Sequence, residues 1–470
     1  MVHDPSRARP WLRLQWRNDM NDQPDPVTRN SFDRIAESVC TAPAGTDRIL
    51  LSLAAETSEF IRLNQARVRQ ATSVQQVMAT LSAVAGQRLV SSTLSLPDDP
   101  DEAINMLLAE RAQLVNLLPM VPADPHLLLP DRIESTSRTD LDIALPETDA
   151  LMAQVMNEAD GLDLVGFHAS GPSVRAFADS RGQRNWHRVA SFNLDWSLYA
   201  GGQARDRAVK SAYAGTVFSA DALSQRMAQA REQLERLRLP ARTLSPGRYR
   251  VLLAPAAVAE LLQAMAWSGF SRKDRESGTS SLIRLDREQR RLAPGFTLAE
   301  ATQSGIAQAF TEFGHIRPGQ VKLVTAGQLD QTLISPRTGA EFGIESNTGS
   351  AEYPASLTMA GGAIEPGDML AALDTGLLIS NLWYLNYSDR QQARVTGMTR
   401  FACFAVEQGR IVAPVGVMRF DDSLLDLFGD SLAGLSAQVE FVAGSSTWGA
   451  RELSSVSCPA MLLNGLSFTL

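Results

Sequence analysis

A chain of 470 residues is long enough for two or three domains with full cores, and 44% apolar with 20% charged residues is an ordinary globular composition. A formal net charge of −8 argues against sequence-independent nucleic-acid binding, which draws on a basic face. Three widely spaced cysteines, Cys40, Cys403 and Cys458, exclude a disulfide framework or cysteine-built zinc site and suit a reducing, cytoplasmic setting; no run of about 18 apolar residues offers a membrane span.

Residues 1–29 hold arginines and prolines but no continuous apolar stretch, so they read as a disordered tail rather than a secretory signal, with Met20 as a second candidate start. An N-terminal domain over residues 30–243 follows. Asn30 or Ser31 caps a helix carrying Phe32, Ile35 and Val39 at helical spacing. After the turn residues of Pro43–Asp47, four segments read as strands of an antiparallel meander: Ile49–Ala55, Phe60–Asn64, Ala66–Gln75 and Val77–Ala85. Asn64–Gln65 and Gly86–Gln87 are its tight connections. Asp98–Asp101 opens a helix to about Leu118, with acidic residues placed favourably at its start, and Glu147–Ala159 forms a second.

Leu162–Ser197 returns to β-structure, with a hairpin turn at Ser180-Arg181-Gly182, and Ala220–Leu237 is an amphipathic helix ending before Pro240. Leu244–Gly247 marks the boundary to a C-terminal domain over residues 244–470. A strand at Tyr249–Leu253 and a proline-started helix at Pro255–Trp267 open that domain. The rest is rich in glycine and strands, with helices expected only near Pro366–Asp374 and Asp421–Leu427. Grouped strands and helices, without βαβ alternation, give an α+β fold class: an antiparallel sheet with helices, then a β-rich domain.

Chemistry is sparse. None of the five histidines, His3, His126, His168, His187 and His315, forms HExxH or has a second histidine within a helical turn. His168 and His187 fall on neighbouring strands and could approach each other, although ordinary β-face roles suffice; His315 reads as a hydrogen-bonding loop residue. Gly444-Ser445-Ser446-Thr447-Trp448 misses GxSxG and lacks the strand–elbow–helix context. Asp421 and Asp422 form a paired-carboxylate candidate that helix capping explains more simply. Gly361-Gly362 and Gly343–Ser350 lack a Walker lysine, and Asn347–Gly349 reads as a turn or hairpin tip.

The densest constellation is Ser380–Phe420. Asn381, Tyr384, Asn386, Tyr387, Asp389, Arg390, Arg394, Thr399 and Arg400 combine donors, acceptors and aromatic faces between apolar runs. Chemistry alone reads them either as groove lining or as a plain surface loop.

This segment also carries a resemblance. GLLISNLWYLNY, VTGMTRFACFAVEQGRIVAPV and VMRFDD, within Thr375–Asp422, resemble the β-rich core of the TldD/PmbA family of zinc peptidases and their metal-free partner subunits. Ser58–Gln76 resembles the family's strand pair around R-x-N-x-G-x-x-x-Q, with Ala66 in the place of glycine. The resemblance implies an N-terminal α+β domain, a C-terminal β-rich domain, and assembly as dimers. Active members cut flexible peptides in an enclosed chamber, using HExxxH on the first helix of the C-terminal domain and a cysteine ligand near the C-terminus.

Histidines at that spacing are about 140° apart on a regular helix, so a distortion must bring them together. Matching VLLAPAAVAELLQAMAWSG to that helix places Gln263, Ala264 and Ser268 where His, Glu and His should stand. The cysteine position falls near Ser445, with Cys458 well downstream. Glutamine and serine oxygens are poor zinc ligands, and Ala264 cannot act as a base. The resemblance therefore implies a PmbA/TldE-type subunit without a cofactor of its own, inactive alone. Its zinc-bearing partner would be TldD-like, or the assembly a homodimer, acting on flexible peptides with neither nucleic acid nor membrane involved. Asn381, Tyr384, Tyr387, Arg394 and Arg400 are the residues expected to face peptide or partner. The alternative is a stand-alone peptide- or protein-binding modulator without proteolytic activity.

Overall fold

The computed structural model describes residues 25–139, 145–201 and 207–469. The expectations for a disordered tail and for a start at Met20 lie, up to residue 24, outside the described residues, as does His3. The first helix, α1 (Arg29–Val39), starts slightly earlier than its sequence signals suggest, because Thr28 is extended and its hydroxyl accepts the Ser31 amide.

The four expected strands of the meander are two continuous ones, β1 (Arg48–Asn64) and β2 (Val68–Ala85). The polar break at Glu56, Thr57 and Ser58 looked like an interruption, yet all three are buried within β1. The connection is a two-residue turn with Gln65 at φ 54° and Ala66 at φ 49°, closed by the Asn64–Arg67 backbone bonds. Both conformations favour glycine or asparagine, which accounts for a glycine at this place in the resembled pattern.

The sheet continues through β3 (Arg88–Ser95), β4 (Thr136–Thr139), β5 (Asp163–Asp179), β6 (Arg184–Tyr199) and β7 (Ala208–Gly215). Its order is β3-β2-β1-β5-β6-β4, with β7 also paired to β6. Helices α2 (Pro100–Leu117), α3 (Thr148–Glu158) and α4 (Ala220–Leu237) lie within a residue or two of the expected spans. Phe32 and Ile35 of α1 and Leu107 and Leu114 of α2 pack with Leu51, Leu53 and Leu81. A separate core sets Leu223, Met227 and Leu234 of α4 against Leu194, Trp196 and Leu198, and it includes Phe404 from the C-terminal half. Full burial of that one phenylalanine contributes about 2–3 kcal/mol to holding the halves together.

The second sheet has eleven strands: β8 (Gly247–Leu253), β9 (Leu298–Glu300), β10 (Val321–Thr325), β11 (Gln328–Leu329), β12 (Ser356–Met359), β13 (Gly376–Asp389), β14 (Arg394–Glu407), β15 (Arg410–Pro414), β16 (Arg419–Ser423), β17 (Leu432–Ala443) and β18 (Ser455–Phe468). Its path runs β11-β10-β9-β12-β18-β16-β14-β13-β8, and a further β18–β8 pairing closes the last five strands into a ring. Helix α5 (Pro255–Gly269) buries Val258, Leu261, Leu262 and Met265 in the core of this half with Phe420, Phe428 and Leu463.

Three short helices went unanticipated: α6 (Arg272–Glu276), α7 (Ile283–Asp286) and α8 (Pro336–Phe342). None is long enough to show a period; α6 and α8 are fixed by the caps Ser271 and Ser335. Helix α9 (Met369–Leu373) is where expected, and α10 (Leu424–Leu427) begins only after Asp421 and Asp422, which belong to β16. The architecture is α+β, as the element grouping predicts.

Candidate functional site

Helix α5 is not regular at its end. Trp267 has ψ 94° and Ser268 has φ 69°, so the helix breaks at the position aligned with the second family histidine. The i→i+4 bond from residue 268 to the Ala264 carbonyl cannot form through such a break. Tyr387 replaces it: its hydroxyl donates to the Ala264 oxygen at 2.7 Å. Burial pushes the Tyr387 phenol up from its ordinary pKa, keeping it a donor.

A cavity of about 450 Å³ lies between the two sheets. Asp195 of β6, Lys210 of β7 and Arg226 of α4 line one side; Glu260 and Gln263 of α5, Asn381 of β13, Glu440 of β17 and Ser445 line the other. Gln263 and Ser445, far apart in sequence, therefore share one cavity. Ala264 opens instead on an adjoining recess of about 330 Å³ with Trp267, Tyr353, Asn386 and Tyr387. Ser268 lines neither, and its hydroxyl oxygen is buried without a partner.

Zinc does not fit these side chains. An amide, a methyl and two hydroxyls occupy the aligned positions, and among the described residues no three His, Cys, Asp or Glu side chains converge to hold a metal. The charges are arranged in pairs instead. Lys210 Nζ lies 3.0 Å from Asp195, and Arg226 lies 3.2 Å from Glu440. Desolvation raises the carboxyls of Asp195 and Glu260, with Lys210 opposing the shift in both. The Glu260 side chain is solvent-facing but stands inside the cavity. The Asn381 Oδ1 is buried without a donor.

The β13–β14 hairpin distributes the remaining candidates. An extra residue in β13 between the Trp383–Met398 and Asn386–Thr396 pairs puts Tyr384 at φ 61°, and an extra residue in β14 puts Phe401 at φ 60°. Such bulges re-aim side chains, and Tyr384 is left 76% exposed. The Arg400 guanidinium stacks 4.5 Å from the Trp383 ring centre, and Lys210 reaches over Phe401. Arg394 is elsewhere, at the hairpin tip, with Nε 2.5 Å from Asp421 Oδ1. Asn381 thus lines the cavity, Tyr387 the recess, and Arg400 pairs across from Asn381; Arg394 joins none of them.

Residues 246–470 match the family described as the PmbA/TldA metallopeptidase C-terminal domain. The C-terminal half of the chain belongs to the TldD/PmbA family. Three solved structures share the fold over 94% of the chain. TldE from Thermococcus kodakarensis is matched over 100% of its length at TM-score 0.76 and 11% identity. A candidate modulator of a DNA gyrase from Thermotoga maritima is covered over 99% at TM-score 0.71 and 13% identity, and one from Bacteroides thetaiotaomicron over 98% at 0.73 and 15%. No curated protein matches the chain.

One residue that supports the cavity wall without lining it escaped the sequence. Arg451 roots the Gly444–Ser454 loop, which carries Ser445, into the N-terminal sheet. Its Nε donates to Ser58 Oγ at 2.8 Å, Nη1 to the Ser191 carbonyl at 2.9 Å, and Nη2 to the Gly171 carbonyl and Ser173. Its backbone amide donates to Glu56 Oε2 at 3.1 Å. Burial lowers the guanidinium pKa to about 10 while Glu56 opposes that shift. Nothing local signals this role, because every partner lies in the other half of the chain.

His168, His187 and His315 have structural roles. His168 and His187 sit on paired strands, but His168 opposes Leu194 and His187 opposes Arg175, seven positions apart, or roughly 23 Å. They form no joint site. His168 Nε2 bonds Ser170 Oγ at 3.1 Å, and burial, aided by Arg451, lowers its pKa to about 4. His187 reaches the Ile306 carbonyl and His315 the Leu128 carbonyl. Asp422 is not a helix cap: it accepts from Arg248 and from the Ser467 amide. Asn347 tethers a loop through Ile334 and Thr332 rather than tipping a hairpin. Cys458 is a core residue whose thiol burial pushes up to about 12.

Proposed function

We propose that this chain is the non-catalytic subunit of a TldD/PmbA-type complex that processes flexible peptides, with zinc carried by a TldD-like partner. One observation carries this reading: Gln263 and Ser445, aligned with a histidine and a cysteine ligand, line one cavity yet supply only an amide and a hydroxyl. The fold shared with the T. kodakarensis protein named TldE supports the same side of the family. In this reading the cavity wall shapes the space around a peptide. Asn381 offers an acceptor, and Tyr384, Tyr387 and Arg400 supply aromatic and guanidinium faces. Arg394, tied to Asp421, serves the partner-facing end of the hairpin.

The test is zinc analysis and peptide cleavage by the purified chain, alone and with a zinc-bearing relative. The expected result is neither zinc nor cleavage alone, cleavage with the partner, and a loss of at least tenfold on Asn381→Ala with Arg400→Ala. Stoichiometric zinc with cleavage by the isolated chain overturns the proposal. Unchanged cleavage by the complex of the double variant removes the hairpin from it. A stand-alone modulator instead predicts no functional gain from any zinc-bearing relative.

A further inference from the structure

Trp267 is the one large apolar side chain of α5 that the fold does not bury. Val258, Leu261, Leu262 and Met265 fill the core, whereas the break at Trp267 and Ser268 leaves the indole 51% exposed. With Tyr353 and Tyr387 it lines the recess of about 330 Å³. The Trp267 and Tyr387 ring centres are 6.3 Å apart, and the Tyr387 bond to the Ala264 carbonyl fixes the second ring in place. Aromatic faces attract cations, and this pair already does so. The Arg390 guanidinium, which does not line the recess, lies 5.8 Å from the Trp267 centre and 5.6 Å from the Tyr387 centre.

The charge inside the recess has the complementary sign. Glu260 is its only charged lining residue, and among the described residues no cation bonds that carboxylate. Lys210, whose field acts on Glu260, is held by Asp195 at 3.0 Å. Glu260, Gln263 and Tyr353 also line the larger cavity, so the two spaces share a wall. In that cavity Asp195 and Glu440 are neutralised by Lys210 and Arg226, which leaves Glu260 and Glu452 without a cation. The field reaches the shared wall: burial first, then Glu452 and Glu260, raise the Tyr353 phenol above its ordinary pKa.

We propose that the recess takes the side chain of an arginine from a flexible peptide lying in the adjoining cavity, with Glu260 as its counter-ion and the Trp267 and Tyr353 rings beside it. This rests on the peptide-processing reading above and narrows its substrate class to peptides with an arginine. A guanidinium gains both from the carboxylate and from aromatic faces that cover its weakly hydrated plane. A neutral side chain of the same shape gains only the second, and an acidic one meets Glu260 as a like charge.

The experiment titrates the full chain with end-blocked glycine–serine peptides carrying one central arginine, or citrulline as its neutral near-isostere. Calorimetry reads affinity, and the Trp267 indole N–H, assigned in NMR through Trp267→Phe, reads location. The arginine peptide is expected to bind at least tenfold more tightly than the citrulline peptide and to shift the Trp267 resonance. Glu260→Gln is expected to reduce arginine binding to the citrulline level while leaving citrulline binding unchanged, which a merely structural role would not do. Equal affinity for the two peptides overturns the proposal, as does no detectable binding at millimolar peptide. An arginine preference that survives Glu260→Gln, or that leaves the Trp267 resonance unmoved, overturns it by placing the preference elsewhere. None of these readouts involves zinc or cleavage, so failure here is distinct from failure of the subunit assignment.

Discussion

The tip and the root of the Gly444–Ser454 loop have opposite characters. At the tip, Ser445 and Ser446 line the cavity with neutral hydroxyls, and Trp448 is 96% exposed. A few residues on, Arg451 is 6% exposed and bonded to four backbone or hydroxyl partners beside Glu56. The difference separates scaffold from chemistry: a buried guanidinium fixes where the loop stands, whereas the groups it presents carry no zinc-binding capacity. Position and reactivity are set by different residues.

The sharpest way to break that contrast is at the root. Arg451→Met is expected to cost about 3–5 kcal/mol in denaturant unfolding, because the buried Glu56 loses the guanidinium beside it and the buried Gly171 and Ser191 carbonyls lose their donor. A loss below about 1 kcal/mol would show that the root is not what holds the loop. Next in size is the acid response of His168, beneath the same arginine. Its folded pKa of about 4 lies below the unfolded value near 6.5, so between these the unfolded chain binds a proton that the folded one refuses. Stability is therefore full above about pH 6.5 and falls by up to about 3 kcal/mol as pH drops to 4. His168→Gln should flatten that part of the pH–stability curve.

Smaller effects belong to single bonds and turns. Tyr387→Phe removes the donor that serves the broken end of α5 and is expected to cost about 1 kcal/mol, read as a lowered midpoint of chemical unfolding. Ala66→Gly relieves a left-handed residue in the β1–β2 turn and is expected to stabilise by about 1 kcal/mol. Ser445→Ala at the tip and Gln263→Ala on α5, which lines the same cavity, should each stay within about 0.5 kcal/mol of the parent, since neither bears a structural bond. A large loss at either would erase the distinction between tip and root.

Much of the fold was legible because its signals are short-range. The spans of α4, α2 and α3 follow from periodicity and acidic starts, and the turns at Gly86–Gln87 and Ser180–Gly182 follow from residue type; the β1–β2 turn, expected at Asn64–Gln65, falls one residue later at Gln65–Ala66. The site was legible only in part. The side chains at Gln263, Ala264 and Ser268 could be read as unsuited to zinc from their chemistry once the resemblance gave their places. That Arg394 stands apart from Asn381 and Tyr387 could not, since the bulges at Tyr384 and Phe401 shift the hairpin's faces without a sequence mark.

By itself, then, the sequence determined the α+β grouping, the spans of the longer helices, most of the turns, and the neutral character of Gln263, Ala264 and Ser268. Tertiary structure decided that a polar run at Glu56–Ser58 is the middle of a strand rather than its end. It also decided that Gln263 and Ser445 line one cavity and that Arg451 reaches Ser58, 393 residues away. The reason is physical: periodicity and turn chemistry act over a few residues, whereas the cost of burying a polar group is met only by partners that the completed fold brings to it.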